Sequence, residues 1–233
     1  MAVEYGALPF KEAITFFKEK LSLPSESWDE IWQEAHDHAF IVAGAIEDDL
    51  IESLRDAVDK AIAEGISLKE FQAQFVDIVK KAGWDYVGNA GWRSHVIYET
   101  NLRQSYNAGR YQQLQAVKST RPYWMYRHGD SENPRKLHLS WHTLVLPADD
   151  PWWREHYPSN GWGCKCKVFA LSNRDLQRLG LPVGTAPNDG TYDWVNKKTG
   201  EVHEVPLGID PGFDYAPGAT KPSERLAQIR SEQ

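Results

Sequence analysis

The chain has 233 residues, with 26 Lys and Arg against 33 Asp and Glu, a formal charge of −7. That length can bury a sizeable core without staples, and 41% apolar with 25% charged residues is the balance of a folded domain rather than a disordered one. Two cysteines, no apolar run near the roughly 20 residues that span a bilayer, and Glu4 and Glu12 near the start argue against a disulfide scaffold, a membrane protein and a secretory signal. Charge is unevenly spread. Residues 1–90 carry −10, residues 91–136 carry +5 and residues 137–233 carry −2, which suggests separate surfaces with separate partners.

The front of the chain reads as helices. Phe10, Ala13, Ile14, Phe17 and Leu21 recur at helical spacing until Pro24. Trp28, Ile31, Trp32, Ala35, Ala39, Val42, Ala43 and Ile46 form the next such stripe, and Leu50, Leu54, Ala57, Val58, Ala61 and Ile62 continue it to Gly65. His36 and His38 fall on the polar side of the second stripe; a histidine pair on one helix face binds metal at i, i+4, not i, i+2. Ser67 and Glu70 have the form of a capping box, opening a helix through Phe71, Phe75, Ile78 and Val79 that stops at Gly83. Residues 92–118 predict one long helix.

From Pro122 the pattern changes. Tyr123–Arg127 is aromatic and strand-like, 129–134 is a turn, and 143–163 is an ordered loop rich in Pro, Asp, Trp and Gly. A short strand over 165–170, a short helix over 172–179 and a hairpin over 192–205 follow. The end, with Pro211, Gly212, Pro217, Gly218 and Pro222, reads as an extended tail. The expected architecture is α+β: a helical region over 1–90, a core over 91–180 with a long helix, a small antiparallel sheet and a Trp-rich loop, and a hairpin with its tail over 181–233.

Chemistry concentrates in 127–166. Cys164 and Cys166 stand at i and i+2, so on a strand they share a face and can meet one metal ion. Two of His138, His142 and His156 would complete a tetrahedral Cys2His2 zinc set. The plainer alternative is a pair of buried reduced thiols packing as small apolar groups. His128, Asp130, His138, His142 and Asn160 could build a metal nuclease, but they are not the carboxylate-rich set that magnesium favours. Phosphate-binding loops, HExxH and GxSxG are absent from the sequence. Arg103, Arg110, Lys118, Arg121 and Arg127, interleaved with Tyr106, Tyr111, Tyr123, Trp124 and Tyr126, could meet phosphates and stack on bases. With a net charge of −7, a solvated or self-docked face is the favoured reading of those arginines.

Several segments together resemble the phage Mu F-like minor head proteins, the SPP1-type head morphogenesis family. They are Pro9-Phe-Lys-Glu-Ala-Ile, His38-Ala-Phe-Ile-Val-Ala-Gly44, Gly91-Trp-Arg93, Ile97-Tyr-Glu-Thr-Asn-Leu-Arg103, Tyr106-Asn-Ala-Gly-Arg110 and Arg121-Pro-Tyr-Trp-Met-Tyr126. The family's Asp…Arg…His element matches Asp130, Arg135 and His138, and its Cys-x-Cys signature matches Pro158-Ser-Asn-Gly-Trp-Gly-Cys-Lys-Cys166. The likeness ends in Gly208-Ile-Asp-Pro-Gly-Phe-Asp-Tyr-Ala-Pro-Gly. Lys165 stands where the family usually has Arg, Ser159 where a second Pro is common, and His142 where Asp or Asn is frequent, which ranks His142 below His138 as a ligand.

The resemblance implies a low-copy structural protein and not an enzyme, present in the head interior or portal vertex of a virion and in the host cytoplasm during assembly. Its implied partners are the portal and major capsid proteins, with packaged double-stranded DNA as a further contact through Arg103, Arg110, Arg121 and Arg127. The candidate structural zinc ligands are Cys164, Cys166, His138 and His156. The alternative function is a metal-dependent nuclease or toxin-type enzyme carried in the particle.

Overall fold

Residues 10–220 are described by the computed structural model of the chain. Helix α1 (Lys11–Lys18) buries Ala13, Phe16 and Phe17, then gives way to a two-residue strand β1 (Leu21–Ser22). The second apolar stripe is not a helix. Residues 24–47 run through irregular turns, a 3₁₀ turn (Gln33–Asp37) and a short strand β2 (Ala39–Phe40) that pairs parallel with β1. Two local causes are visible. Ser25 Oγ donates to the Glu30 carboxylate at 2.8 Å, a side-chain alternative to helical bonding, and Gly44 takes φ +82° so that its N–H reaches Ser25 O at 2.8 Å. The decisive cause is distant: Trp32 stacks on Trp194 and His203, at centroid distances of 5.0 and 4.3 Å, from the far end of the chain. His36 and His38 therefore lie on no polar helix face, and His38 is buried.

Helix α2 (Asp48–Glu64) ends on left-handed Gly65, and α3 (Leu68–Ala82) opens on the expected capping box and ends on left-handed Gly83. Helix α4 (Ala90–Ala116) is capped by Asn89, whose side chain accepts from Trp92 N–H. At 27 residues it is about 40 Å long. Its first half buries Ile97 against Leu54, Phe71 and Phe75, in a core built by α1 to α3. Its last turns bury Leu114 in a second core with Trp124, Tyr126, Trp141, Trp153 and Tyr157. One helix thus frames both cores. Helix α1 crosses α4 at Gly109, where an added Cβ would stand 2.7 Å from the backbone nitrogen of Ala13.

The second core lies on a three-stranded antiparallel sheet with β3 (Tyr123–Arg127) in the centre. Strands β4 (Val145–Pro147) and β5 (Lys167–Leu171) flank it, with Met125 opposite Val145 and Phe169. Two short helices, α5 (Lys136–Ser140) and α6 (Trp153–His156), sit in the connections; α7 (Asn173–Leu179) follows β5 on a Ser172–Asp175 capping box. Strands β6 (Thr191–Val195) and β7 (Val202–Pro206) make the expected hairpin. This is an α+β protein, as its sequence predicts.

The end of the chain is no extended tail, as far as residue 220. Ile209, Phe213, Tyr215 and Ala216 are buried, and three of them fill the second core. Two contacts strap this segment to the front of the chain. Gly218 N–H donates to the Asp37 carboxylate, and Gln33 donates to Asp214, both at 2.6 Å. Residues 221–233 of the expected tail lie outside the described residues.

Candidate metal centre

Three side chains meet between α5 and the start of β5. Cys164 closes a tight turn from Gly161, Cys166 precedes the first residue of β5, and His138 lies on α5; all three are buried. Close backbone packing brings them together. Gly129, just past β3, lies so near the Cys164–Cys166 backbone that a Cβ there would be 2.0 Å from the carbonyl oxygen of Lys165. Arg135 ion-pairs with Asp210 at 2.6 Å and donates to Trp162 O, while Asp210 also accepts from Trp162 N–H at 2.8 Å. Gly161 leaves room for that carboxylate, since a Cβ would stand 2.3 Å from it.

The imidazole is held in one tautomer. His138 Nε2 lies 2.8 Å from the carbonyl oxygen of Gly208, which can only accept, so Nε2 carries the proton. Nδ1 is then a bare lone pair, 3.6 Å from Cys166 Sγ and 3.9 Å from Cys164 Sγ. Trp141 stacks on the ring at 5.1 Å and fixes its plane. Anchoring one imidazole nitrogen on a backbone carbonyl is how metal-ligating histidines are oriented.

The two thiols share their protons unequally. A hydrogen bond from Cys164 holds Cys166 down to about 7, against burial, with help from the Tyr126 hydroxyl, the Gly129 N–H and the Arg135 charge. Cys164 is pushed up, first by donating to Cys166 and then by burial. Cys166 is thus a thiolate in waiting.

The three donors are spaced as three ligands of a zinc tetrahedron; among the described residues no fourth His, Cys or carboxylate joins them, so the expected Cys2His2 set is not formed. Bond lengths of about 2.3 Å to sulfur and 2.0 Å to nitrogen around a tetrahedron place S and N about 3.6 Å apart. The observed separations are 3.6 and 3.9 Å, and all three ligand atoms lie within 4.8 Å of one another.

The other histidines stand elsewhere. His156, expected as a ligand, is outside the group: one helical turn after Trp152, it stacks on that indole at 4.3 Å and turns Nδ1 toward the Trp152 carbonyl. Trp141 touches both His138 and His156. His142 is exposed, with its Nδ1 accepting from His128 N–H at 3.2 Å. Asn160, a member of the nuclease set, is buried and accepts from the Tyr126 hydroxyl at 2.9 Å. The partners that orient the group (Tyr126, Gly129, Gly208 and Asp210) carried no ligand signal in sequence. Tyr126, Gly208 and Asp210 do fall in segments that carry the family resemblance.

Of the four arginines expected to meet DNA, three have partners within the chain. Arg103 pairs with Glu99, Arg110 donates to Gln113 at 2.6 Å, and Arg121 pairs with Asp175 at 2.7 Å. Arg127 stands exposed at the end of β3.

Burial lowers two histidines, His156 and His36, to about 4 each, and Lys20 adds to the effect at His36. Both are neutral in the fold down to about that pH, whereas in the unfolded chain they protonate near 6.5. As pH falls between about 6.5 and 4 the unfolded state takes up protons first, so stability is lost across that window. At pH 5.5 the expected loss is about 1 kcal/mol per histidine. Burial also raises the Asp37 carboxyl to about 7, which favours the fold as pH falls over the same window, so the test is the difference between the parent and His156→Phe. The variant should lose less stability than the parent between about pH 6.5 and 4.5; an equal loss in both would contradict this.

A long helix bridging two cores, with a Cys-x-Cys turn locked to a buried histidine, is the arrangement in which the family signature is read. The chain belongs to the Phage Mu protein F like family, whose sequence profile matches residues 52–169. It is 33% identical to protein F of Escherichia phage Mu, named for capsid assembly, over 96% of this chain and 57% of that protein. It is 34% identical to the Mu-like prophage FluMu F protein of Haemophilus influenzae, over 89% of this chain and 56% of the relative. The chain thus spans a little over half the length of these curated relatives. No solved structure matches it. Among the described residues no helix is long and apolar enough to cross a membrane.

Proposed function

We propose that this chain is a minor head protein acting in capsid assembly of a Mu-like phage or prophage. The observation that carries the reading is the match along 96% of the chain to a phage protein named for capsid assembly. The portal and major capsid proteins are its proposed partners, and the head interior or portal vertex its place. Burial of His138, Cys164 and Cys166 favours a structural role over a nuclease or toxin-type activity. In this reading the three residues hold zinc, which would cross-link α5 to the 161–166 turn and β5, a region poor in backbone ladders of its own. Contact with packaged double-stranded DNA would fall chiefly to Arg127 and Arg110, because Arg103 and Arg121 are paired with carboxylates whereas the Arg110 partner, Gln113, is neutral.

Quantitative mass spectrometry of purified procapsids and virions, counting this chain against the portal protein, tests the assignment. A low, reproducible copy number in procapsids supports it, whether or not the chain persists in virions. Absence from both particles overturns it. A DNA affinity that falls steeply with salt, with a log–log slope well beyond about −2, would overturn the limited role given to the arginines.

A further inference from the structure

Strands β3 and β5 pair antiparallel, with Trp124 opposite Ala170, Tyr126 opposite Val168 and Arg127 opposite Lys167. The register persists beyond the last of these pairs. Gly129 packs against Lys165, where an added Cβ would collide with the backbone carbonyl. His128 lies between Arg127 and Gly129, and Cys166 between Lys167 and Lys165, so the two stand directly opposite each other.

Alternation sets the face. Trp124, Tyr126 and Val168 belong to the second core, as do Cys164 and Cys166. Residues two apart on a strand share a face, and directly opposed residues share it too, which puts the His128 Cβ on the cysteine side of the pair. His128 N–H is spent on His142 Nδ1, toward the chain that leads into β4, so it makes no bond across to Cys166. In such a non-hydrogen-bonded pair the Cα atoms are about 4.5 Å apart and the side chains at their closest. His128 is half-buried, and among the described residues its ring nitrogens make no hydrogen bond.

We propose that His128 is the fourth protein ligand of the metal centre, turning its ring onto an ion held by His138, Cys164 and Cys166. The inference rests on the zinc reading of that group and adds its coordination. Other donors are worse placed. His156 is stacked on Trp152, and His142 is exposed with its Nδ1 on the His128 amide. Asp130 follows the same alternation as His128, but it is exposed, and Cys164 opposite it has already entered the turn from Gly161. The consequence is functional. Four protein ligands make a closed centre of the structural kind, whereas three leave a position for water, as catalytic zinc sites do.

Cobalt(II), whose visible absorption reports its ligands, makes the test direct. The full chain is refolded with cobalt(II), and its zinc affinity is measured by competition with a chelating dye. The parent is expected to show the intense bands of a tetrahedral site, unmoved by added imidazole. Losing a group that merely orients a ligand costs about 10–100-fold in metal affinity, so His128→Ala should weaken zinc at least about tenfold. Imidazole should shift the cobalt bands of that variant back to those of the parent by filling the opened position. Asp130→Ala and His142→Ala should keep the parent's spectrum and affinity. Circular dichroism checks each fold, with His128→Gln replacing His128→Ala if the latter does not fold. Parent affinity and spectrum in the His128 variant, parent bands that move with imidazole, or the loss appearing in Asp130→Ala or His142→Ala instead would each overturn the assignment of His128 while leaving the metal. A parent that takes up neither cobalt nor zinc overturns the zinc reading, and this assignment with it.

Discussion

Gly129→Ala is expected to destabilise the protein by at least about 3 kcal/mol, the upper end of what overpacking usually costs. The added methyl would stand 2.0 Å from the Lys165 carbonyl oxygen and 2.6 Å from the Lys165 Cβ. No side chain can rotate to relieve a contact with backbone. Relief requires moving the Cys164–Cys166 segment away from the end of β3, which also breaks the Gly129 N–H contact with Cys166. Urea unfolding should show the lower midpoint, and thermal unfolding a drop of about 6–12 °C for a chain of this size. Gly200→Ala is the control. Gly200 has nothing within 4 Å of an added Cβ but sits at φ +76°, so only the left-handed strain of about 1 kcal/mol is expected. A Gly129→Ala protein within 1 kcal/mol of the parent would show that the close crossing does not hold this region together.

Refolding in zinc is expected to yield one metal ion per chain, and stripping it with a chelator should lower the unfolding midpoint by about 8–16 °C. The magnitude follows from mass action: free metal at a thousand times its dissociation constant stabilises by about 4 kcal/mol, and each kcal/mol moves the midpoint by about 2–4 °C. Cys166→Ser, Cys164→Ser and His138→Gln should each lose the stoichiometric zinc. His156→Gln should keep it, because His156 lies outside the group and stacks on Trp152. Metal content measured by plasma mass spectrometry decides between zinc and two packed thiols. Substoichiometric zinc after refolding, or a midpoint indifferent to chelation, would leave Cys164 and Cys166 as core side chains.

Local chemistry was legible in the sequence wherever a structural decision is made within a few residues. The Ser67–Glu70 box and the Gly65 and Gly83 stops are local bonds and local dihedrals, and they appear where the residues put them. The hairpin and the strand over 123–127 are equally local patterns. Cys164, Cys166 and His138 could be named as candidates because their atom types are unusual in such a loop.

The stretch from 24 to 47 could not be read this way. Its apolar residues do recur at helical spacing, yet Trp28 and Trp32 are spent on Trp162, Trp194 and His203, more than 120 residues away. A packing partner that distant outweighs a propensity worth only tenths of a kcal/mol per residue. The same holds at the other end. Residues 207–216 are rich in Pro and Gly and look unstructured, but Phe213 and Ala216 complete a core and Gly208 aims the His138 ring.

By itself, then, the sequence determined the α+β class, the long helix, the Ser67–Glu70 cap and the two thiols as candidate ligands. Tertiary structure alone decided which histidine joins them: His138 and His156 are both buried, and only the turn of α6 that lays His156 on Trp152 separates the two. It also decided that Arg121 is paired, because its ion pair with Asp175 closes across 54 residues. Choices of this kind depend on positions in space, which residue spacing along a chain does not encode.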